Sequence, residues 1–330
     1  MDLFTHVLIA YLLTFGIVGF QPSYLAAGAL AGGLPDADAF FFPLAKRFPI
    51  LRHHGITHSI TGVTIVAVAG AFIAPMIAPG SPWVYFLVME VGGLSHMLED
   101  GFTHFSVPPF LPFSERRLEV DADRAINFLT LIVSVVGFYL LLGVERNHVA
   151  FALYLDTLYG LTAFFVVYFS IRIAARVRIG QLMKQLGTYR TPIPTGNPFV
   201  WLVLTEDKRD GQMRTTFARY VFGRGLTKGP FSVAAPLESP AGTNAPVSTA
   251  EEALARSYPL ARKASTIFDQ TYHFGEAKDL GPDGWIAYWY SLEFEAFGRA
   301  AGVRVKFPKD GGAPVVKSAW HTPLWRQELT

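Results

Sequence analysis

The chain of 330 residues has room for two domains, carries a formal net charge of +2 and contains no cysteine. The small charge, without any basic run with interleaved aromatic residues, argues against nucleic-acid binding, and the lack of cysteine excludes disulfides and cysteine-ligated zinc. Apolar residues are 51% of the chain against 16% charged residues, and the excess lies mostly before residue 175. We therefore predict a transmembrane domain over residues 1–186 and a soluble domain over residues 187–330.

Five apolar runs in the first half are long enough, or nearly so, to cross a bilayer core of about 30 Å as helices. These runs are residues 3–20, 60–78, 83–98, 125–143 and 149–174. A shorter run at residues 24–34 is rich in Ala and Gly, and it is either a tightly packed half-helix or the return limb of a hairpin. The sequence thus predicts an α-helical integral membrane domain with five to six membrane segments.

The distribution of lysine and arginine predicts the orientation of these segments, because basic loops stay on the cytoplasmic side. Basic residues gather in residues 35–58, 101–124 and 172–184, whereas the opposite loops contain only Arg146. This asymmetry favours six crossings or near-crossings of the membrane, with both termini in the cytoplasm. It also brings the polar clusters described next to the cytoplasmic face.

Two polar clusters flank the apolar run at residues 60–94, and six of the nine histidines fall before residue 105. Imidazole and carboxylate groups are the side chains that bind zinc or a similar divalent metal. His54 and His104 are the weaker candidates in these clusters. The predicted metal ligands are His6, Asp36, Asp38, His53, His58, His96 and Asp100.

The spacing of several candidates supports a shared site. His96 and Asp100 are four residues apart at the end of a helical run, so one helical face presents both. Asp36 and Asp38 follow Pro35, which ends the preceding run, and residues two apart in an extended segment project to the same side. Each pair alone would also fit an interfacial histidine with a loop aspartate, or a pair of turn residues. Their convergence on one face favours the metal site.

His6 lies in the first turns of an apolar run, where an unpartnered histidine is costly. A lone histidine on an apolar face is more often hydrogen-bonded than metal-bound. His58 stands between Thr57 and Ser59, and helix capping explains those two hydroxyls but not the histidine. We therefore interpret both histidines as ligands.

These motifs resemble the YdjM-like family of membrane-bound metal-dependent hydrolases. The likeness covers residues 1–175 and rests on Thr5-His6, on residues 34–38, on residues 53–59 and on residues 94–100. Members of that family read His-Arg-Gly before Thr-His-Ser, whereas this chain has His54 at the arginine position. The order of ligands is also similar to that of zinc-dependent phospholipase C.

The resemblance implies one to three divalent ions, and the donor set suits zinc, manganese and iron alike. His6, His58, His96 and Asp100 would be ligands, and Asp38 a ligand or a bridge between ions. Two residues have a second, catalytic interpretation: Asp36 as a ligand or general base and His53 as a ligand or proton donor.

The leading hypothesis is a metal-dependent hydrolase that cleaves a phosphoester of a lipid or lipid-linked substrate, with membrane lipid as its partner. No protein partner is inferable, and Arg52, Arg116 and Arg117 could hold an anionic group. The alternatives are a structural metal site or a metal transporter. A transporter should carry ionisable residues within several spans, and Glu90 alone clearly does.

The second half predicts a small antiparallel β-rich domain after a linker at residues 191–198. Apolar and β-branched runs separated by Gly-Pro and Asp-Gly suggest strands at residues 199–204, 215–222, 285–294, 303–307 and 315–320. Thr249 and Glu252 form a capping box that predicts a helix at residues 249–257. Residues 236–248 read as a surface loop.

Overall fold

The computed structural model describes residues 1–41, 48, 50, 53–104, 106–124, 126–146, 151–185, 191–209, 212–236, 246–264, 273–296 and 299–321. The chain divides into two compact units, Met1–Ala175 and Arg176–Thr330. The domain boundary predicted after residue 186 lies outside the described residues. The first unit is helical and the second contains two antiparallel sheets, so the predicted order of a helical and a β-rich region is confirmed.

Six helices are described in the region before residue 186. They are α1 (Leu3–Val18), α2 (Pro22–Gly33), α3 (Ile60–Ile77), α4 (Pro82–Phe102), α5 (Phe128–Arg146) and α6 (Phe151–Gln185). Asp2 caps α1 by accepting from the amide of Thr5 at 3.0 Å, and Ser59 caps α3 by accepting from Gly62 at 3.1 Å. Proline occupies the first turn of α2 and of α4, where its missing N–H costs nothing.

Two of the described helices, α3 and α6, are long and apolar enough to cross a membrane. Shorter apolar helices cover Leu3–Val18 and Phe128–Gly143. This is fewer than the five to six predicted spans, for two physical reasons. Helices α1 and α2 have only 16 and 12 residues, and α4, with 21 residues, carries Glu90, Glu99 and Asp100 among its apolar residues.

Glycines allow α1, α2 and α4 to pack closely. A Cβ atom at Gly92 of α4 would lie 2.3 Å from the carbonyl oxygen of Gly28 in α2, and one at Gly32 would lie 2.4 Å from the Cβ of Ala10 in α1. Such contacts forbid any side chain there and let helix backbones touch. The short Ala-Gly run is therefore a helix packed between α1 and α4, and this packing sets the distance between their polar ends.

The second unit contains two four-stranded antiparallel sheets, each in sequential strand order. The first sheet comprises β1 (Thr191–Pro194), β2 (Val200–Arg209), β3 (Gln212–Val221) and β4 (Gly225–Pro236). The second comprises β5 (His273–Asp279), β6 (Trp285–Ala296), β7 (Arg299–Phe307) and β8 (Val315–His321). Helix α7 (Ala250–Ala264) buries Leu254 against Trp289 and Val305 of the second sheet.

Several predictions for this unit were wrong in detail. The predicted linker begins as strand β1, where Pro192 and Pro194 are tolerated because β1 is an edge strand. Strands β4 and β5 were not predicted, since glycine and proline interrupt the first and charged residues alternate along the second. Helix α7 continues through Pro259 to Ala264. Most of the predicted loop, residues 237–245, lies outside the described residues.

Candidate metal centre

Three separate segments bring four potential ligands together. Asp36 lies in the short 3-10 helix Pro35–Phe41, which follows α2 directly. His58 ends a second 3-10 helix, Ile56–His58, one residue before the cap of α3. His96 and Asp100 lie one turn apart on α4. We call Asp36, His58, His96 and Asp100 the ion-site cluster.

The ligand atoms of this cluster lie within 4.8 Å of one another. His58 Nε2 is 3.1 Å from His96 Nε2, and Asp100 Oδ2 is 3.3 Å from the first nitrogen and 3.2 Å from the second. Asp36 Oδ1 is farther away, at 3.8 Å and 3.7 Å from the same two nitrogens. A tetrahedral zinc ion with ligands at 2.0–2.1 Å separates its ligand atoms by about 3.3 Å. The donor spacing thus fits one such ion.

Both imidazole rings are oriented by hydrogen bonds on their far side. His96 Nδ1 donates to the carbonyl oxygen of Gly32 at 2.7 Å. His58 Nδ1 lies 3.2 Å from Asp38 Oδ2, which also accepts from the hydroxyl of Thr57 at 2.6 Å. Metal-binding histidines commonly use their second nitrogen in this way, because it fixes the tautomer and the ring plane. The Nε2 atoms are therefore the ones presented to the centre of the cluster.

Asp38 contacts histidine nitrogens on the outer side of the cluster. Its second oxygen accepts from His53 Nδ1 at 2.6 Å, so both oxygens are engaged. The His53 side chain is 50% exposed, whereas Asp38 and His58 are fully buried. Asp38 and His53, both predicted as ligands, thus lie outside the group of four, while His53 belongs to a second group with His54 and His58 that could also hold a metal ion.

The ion-site cluster has one exposed member. The side chains of His58, His96 and Asp100 are at most 2% exposed, while that of Asp36 is 26% exposed. Solvent or a substrate therefore reaches the cluster past Asp36. With Asp36 as a ligand, four protein ligands would close the site, as in structural zinc sites; without it, three protein ligands would leave one position open, as in catalytic zinc sites.

His6 and Glu99 form a second layer on the other side of Asp100. His6 Nε2 is 3.2 Å from Asp100 Oδ1, His6 Nδ1 is 3.1 Å from Glu99 Oε2, and the His6 ring stacks on that of His96 at 3.8 Å. The α-amino group of Met1 also contacts Asp100 Oδ1. Glu99 was not among the predicted site residues, although its place beside Asp100 in an otherwise apolar run was a usable signal.

Several buried atoms of this region lie close to charged neighbours but make no well-aligned hydrogen bond within the described residues. They are both ring nitrogens of His6, both carboxylate oxygens of Glu99, and Asp100 Oδ2. Buried polar atoms without partners are rare because each forfeits the hydrogen bonds it made to water. These atoms belong to residue types that bind divalent metals, so the residues present fit such an ion.

The charges around the cluster favour a cation at its centre. Burial lowers the pKa of His58, but contacts with Asp100, Asp36 and Asp38 outweigh burial and raise it to about 10. Burial raises the pKa of Asp36, but His58 and His96 outweigh it and lower it to about 2. Burial likewise raises the pKa of Asp38, and contacts with His53, His58 and Thr57 bring it well below its usual range. The carboxylates stay ionised, and a positive charge among them is stabilised.

Two weaker candidates lie nearby. His54 Nε2 is 3.5 Å from Asp100 Oδ2, and nitrogens of His53, His54 and His58 also lie within 4.8 Å of one another. His54 has a positive φ of 58°, and its carbonyl oxygen accepts from Arg117 at 3.3 Å. His104 is buried, and burial lowers its pKa to about 3.

The arginines predicted to hold an anion are differently placed. Arg117 donates to the carbonyl oxygens of His54 and Ser106 and to the Ser106 hydroxyl, so it joins two loops. Arg116 is exposed, and Arg52 lies outside the described residues. The described contacts of Arg116 and Arg117 therefore do not support the predicted anion-binding role.

A second buried ionic group, which sequence reasoning missed, joins α6 to the segment before α5. Arg172 and Tyr168 of α6 both donate to Asp123, and Asn127 donates to Asp123 at 3.0 Å and to the Tyr168 hydroxyl at 2.6 Å. Both charged side chains are fully buried. We call Asp123, Asn127, Tyr168 and Arg172 the arginine cluster.

A comparison with protein families matches the model described as "YdjM inner membrane protein" over residues 1–179. No curated protein and no solved structure matches the chain. The matched region contains α1 to α5, most of α6 and both buried clusters. Because the family model spans more than half of the 330 residues, the chain belongs to the YdjM inner membrane protein family.

Proposed function

We propose that this protein is a membrane-embedded, metal-dependent hydrolase, and that His58, His96 and Asp100 hold its ion. The observation that carries the proposal is the spacing of 3.1–3.3 Å among His58 Nε2, His96 Nε2 and Asp100 Oδ2. The resemblance to metal-dependent hydrolases supports the class of reaction. Zinc fits the donor set, and manganese and iron remain alternatives.

A bound divalent ion would supply Lewis acidity, polarising a phosphoryl group and making a water molecule nucleophilic at neutral pH. The protein supplies the remaining functions. Asp36 lies on the exposed side of the cluster, where its carboxylate would accept a proton from the attacking water. His96 and His58 keep their orientation through Gly32 and Asp38. Phosphoester hydrolysis is the reaction that this division of roles suits best.

We also propose that the protein crosses the inner membrane several times, with the ion-site cluster and the second unit on the cytoplasmic side. Helices α3 and α6 are the candidate spans, and α1, α4 and α5 would complete the bundle. Support comes from large apolar side chains exposed on two of these helices, such as Phe72 at 73% and Leu142 at 61%. The basic residues of the loops support the orientation. Because the chain has no cysteine, single introduced cysteines can report the side directly.

The test combines elemental analysis of the purified protein with phosphoesterase assays in detergent. We expect a stoichiometric divalent metal, and we expect His96→Ala and Asp100→Ala each to lose both the metal and the activity. Asp156→Ala is the matched control, because Asp156 is an exposed carboxylate on α6. Full activity in both ligand variants would contradict the proposal.

The second candidate is a structural ion that ties α2, α3 and α4 together. It is favoured by Asp36, whose oxygen lies 3.7 Å from His96 Nε2 and could close a four-ligand site. The variant Asp36→Asn separates the two functions. A catalytic site would keep its metal and lose turnover, whereas a structural site would bind metal more weakly and show no phosphoesterase activity before or after the change.

A further inference from the structure

An apolar cavity lies beside the ion-site cluster, among α2, α3 and α4. Its space, counted together with the open solvent at its mouth, is about 300 Å³. Val63, Val66, Met89 and Gly93 line it from α3 and α4, and Pro35 and Thr57 line it from the segments that carry Asp36 and His58. The cavity is thus bounded by hydrocarbon, apart from the Thr57 hydroxyl and the backbone.

The Pro35 and Thr57 side of the cavity adjoins the ion-site cluster. Pro35 directly precedes Asp36, and Thr57 directly precedes His58. The Thr57 hydroxyl donates to Asp38, so the methyl group of Thr57 is the part of this side chain that remains to contact the cavity. A molecule that places a polar group at the cluster would therefore have its adjoining apolar part on this side.

One lining residue, Val66, is partly exposed on a candidate membrane span, α3. Val66 is 39% exposed and lies six residues into α3, roughly 9 Å along the axis at about 1.5 Å per residue. Its neighbour Ile65 is 63% exposed, so this helix surface is apolar. In a membrane this surface faces lipid hydrocarbon rather than water.

We propose that the cavity binds the hydrocarbon chain of the substrate, which makes the substrate a lipid carrying a phosphoester headgroup. The chain would enter from the bilayer past Val66 and extend toward Thr57, and the headgroup would then lie at Asp36 and the buried histidines. This inference rests on the proposed function, since it names the substrate class of the same site. A hydrocarbon chain is the occupant that matches both a lipid-facing entrance and an ion site at the far end.

The test is photocrosslinking of the full-length, zinc-loaded protein in lipid nanodiscs. The probe is decyl phosphonate with a diazirine at the end of its chain, because a phosphonate is not hydrolysed at its carbon–phosphorus bond. Crosslinked residues are mapped by mass spectrometry. We expect labelling at Val66 and Met89 to exceed labelling at Val68 several-fold. A decyl alcohol probe without the phosphonate should show no such preference.

A matched pair of variants separates the cavity from the general lipid-facing surface. Val66 and Val68 lie on the same helix and are 39% and 42% exposed, but only Val66 lines the cavity. Val66→Phe should fill the cavity and remove the preferential labelling of Met89, whereas Val68→Phe should leave it unchanged. Val68 lies outside both the cavity lining and the ion-site cluster, so Val68→Phe should also keep activity toward a water-soluble phosphoester such as phenyl phosphate.

Each remaining outcome is decisive. Equal labelling around α3, together with intact hydrolysis of phenyl phosphate, would overturn the chain-binding proposal and leave the proposed function standing. Preferential labelling of the cavity by both probes, in a protein that binds no metal and hydrolyses no phosphoester, would overturn the substrate proposal through the failure of the proposed function. Cavity labelling that needs both the phosphonate and the metal would support it.

Discussion

The described part of the first unit contains two buried ionic groups whose aspartates differ in their partners. In the arginine cluster, Asp123 accepts from Arg172 and Asn127 through one oxygen and from Tyr168 through the other. In the ion-site cluster, Asp100 Oδ2 makes no well-aligned hydrogen bond within the described residues, although it lies 3.2–3.3 Å from two histidine nitrogens.

This difference shows what marks a ligand site among buried charges. One arginine balances one aspartate in the arginine cluster, so the group needs no further cation. The ion-site cluster instead places two carboxylates beside two histidines whose Nε2 atoms lie only 3.1 Å apart. At this spacing one divalent ion would contact both Nε2 atoms and Asp100 Oδ2. Burial of charge alone therefore does not mark a ligand site, whereas imidazole and carboxylate atoms at metal-ligand spacing do.

The largest expected effect on stability comes from a change in the arginine cluster. Arg172→Met leaves the Asp123 carboxylate buried without its counter-charge, and we expect a loss of about 3–5 kcal/mol in the free energy of unfolding. Denaturant titration in detergent measures it, with Arg178→Met, at an exposed position of α6, as the control. A second variant that combines Arg172→Met with Asp123→Leu should recover most of the stability. If folded Arg172→Met protein also failed to bind zinc, the two clusters would not be independent.

The next largest effect, on zinc affinity, is expected from a change in the ion-site cluster. Asp100→Asn keeps the size of the side chain but removes the negative charge and one ligand oxygen, so zinc affinity should fall by more than about 100-fold, beyond the loss seen for outer-shell partners. Competition with a chromogenic chelator gives the affinity, and Asp156→Asn is the control. The stability without metal should change far less than in Arg172→Met. Unchanged zinc affinity would remove Asp100 from the site.

The sequence predicted the positions that depend on local spacing. The pairing of His96 and Asp100 follows from their four-residue spacing on one helix, and a hairpin at residues 24–34, one of the two predicted alternatives, would bring Asp36 to the same membrane face as His6. The roles of Asp38 and Glu99 depend on which atom faces which ring, and spacing along the chain does not determine that. The arginine cluster joins residues 45 and 49 positions apart through tertiary packing alone. The sequence likewise predicts a linker where strand β1 lies, because the prolines of β1 are acceptable only at the edge of a sheet. Which strand forms that edge is decided by tertiary packing.

A smaller effect should come from the layer that orients the ligands. Asp38 was predicted as a ligand or bridge, yet its oxygens contact His58 Nδ1, His53 and Thr57. Asp38→Asn should therefore lower zinc affinity by about tenfold, the lower end of the range for second-layer partners, without changing the number of ions bound. Isothermal titration gives both quantities. A loss as large as that of Asp100→Asn would mean that Asp38 binds the ion directly.

The smallest effect is expected at His53, which the sequence identified as a ligand or proton donor. Its side chain is half exposed and its Nδ1 donates to Asp38, so it touches the ion-site cluster only through two intermediates, Asp38 and His58. Replacement by alanine should change zinc affinity by no more than about twofold, as for exposed positions in general. The informative measurement is the turnover of the zinc-loaded variant, compared with its zinc affinity. If His53→Ala keeps its zinc but loses most of its turnover, His53 is the proton donor; if turnover also stays near wild type, the residue serves only to hold Asp38.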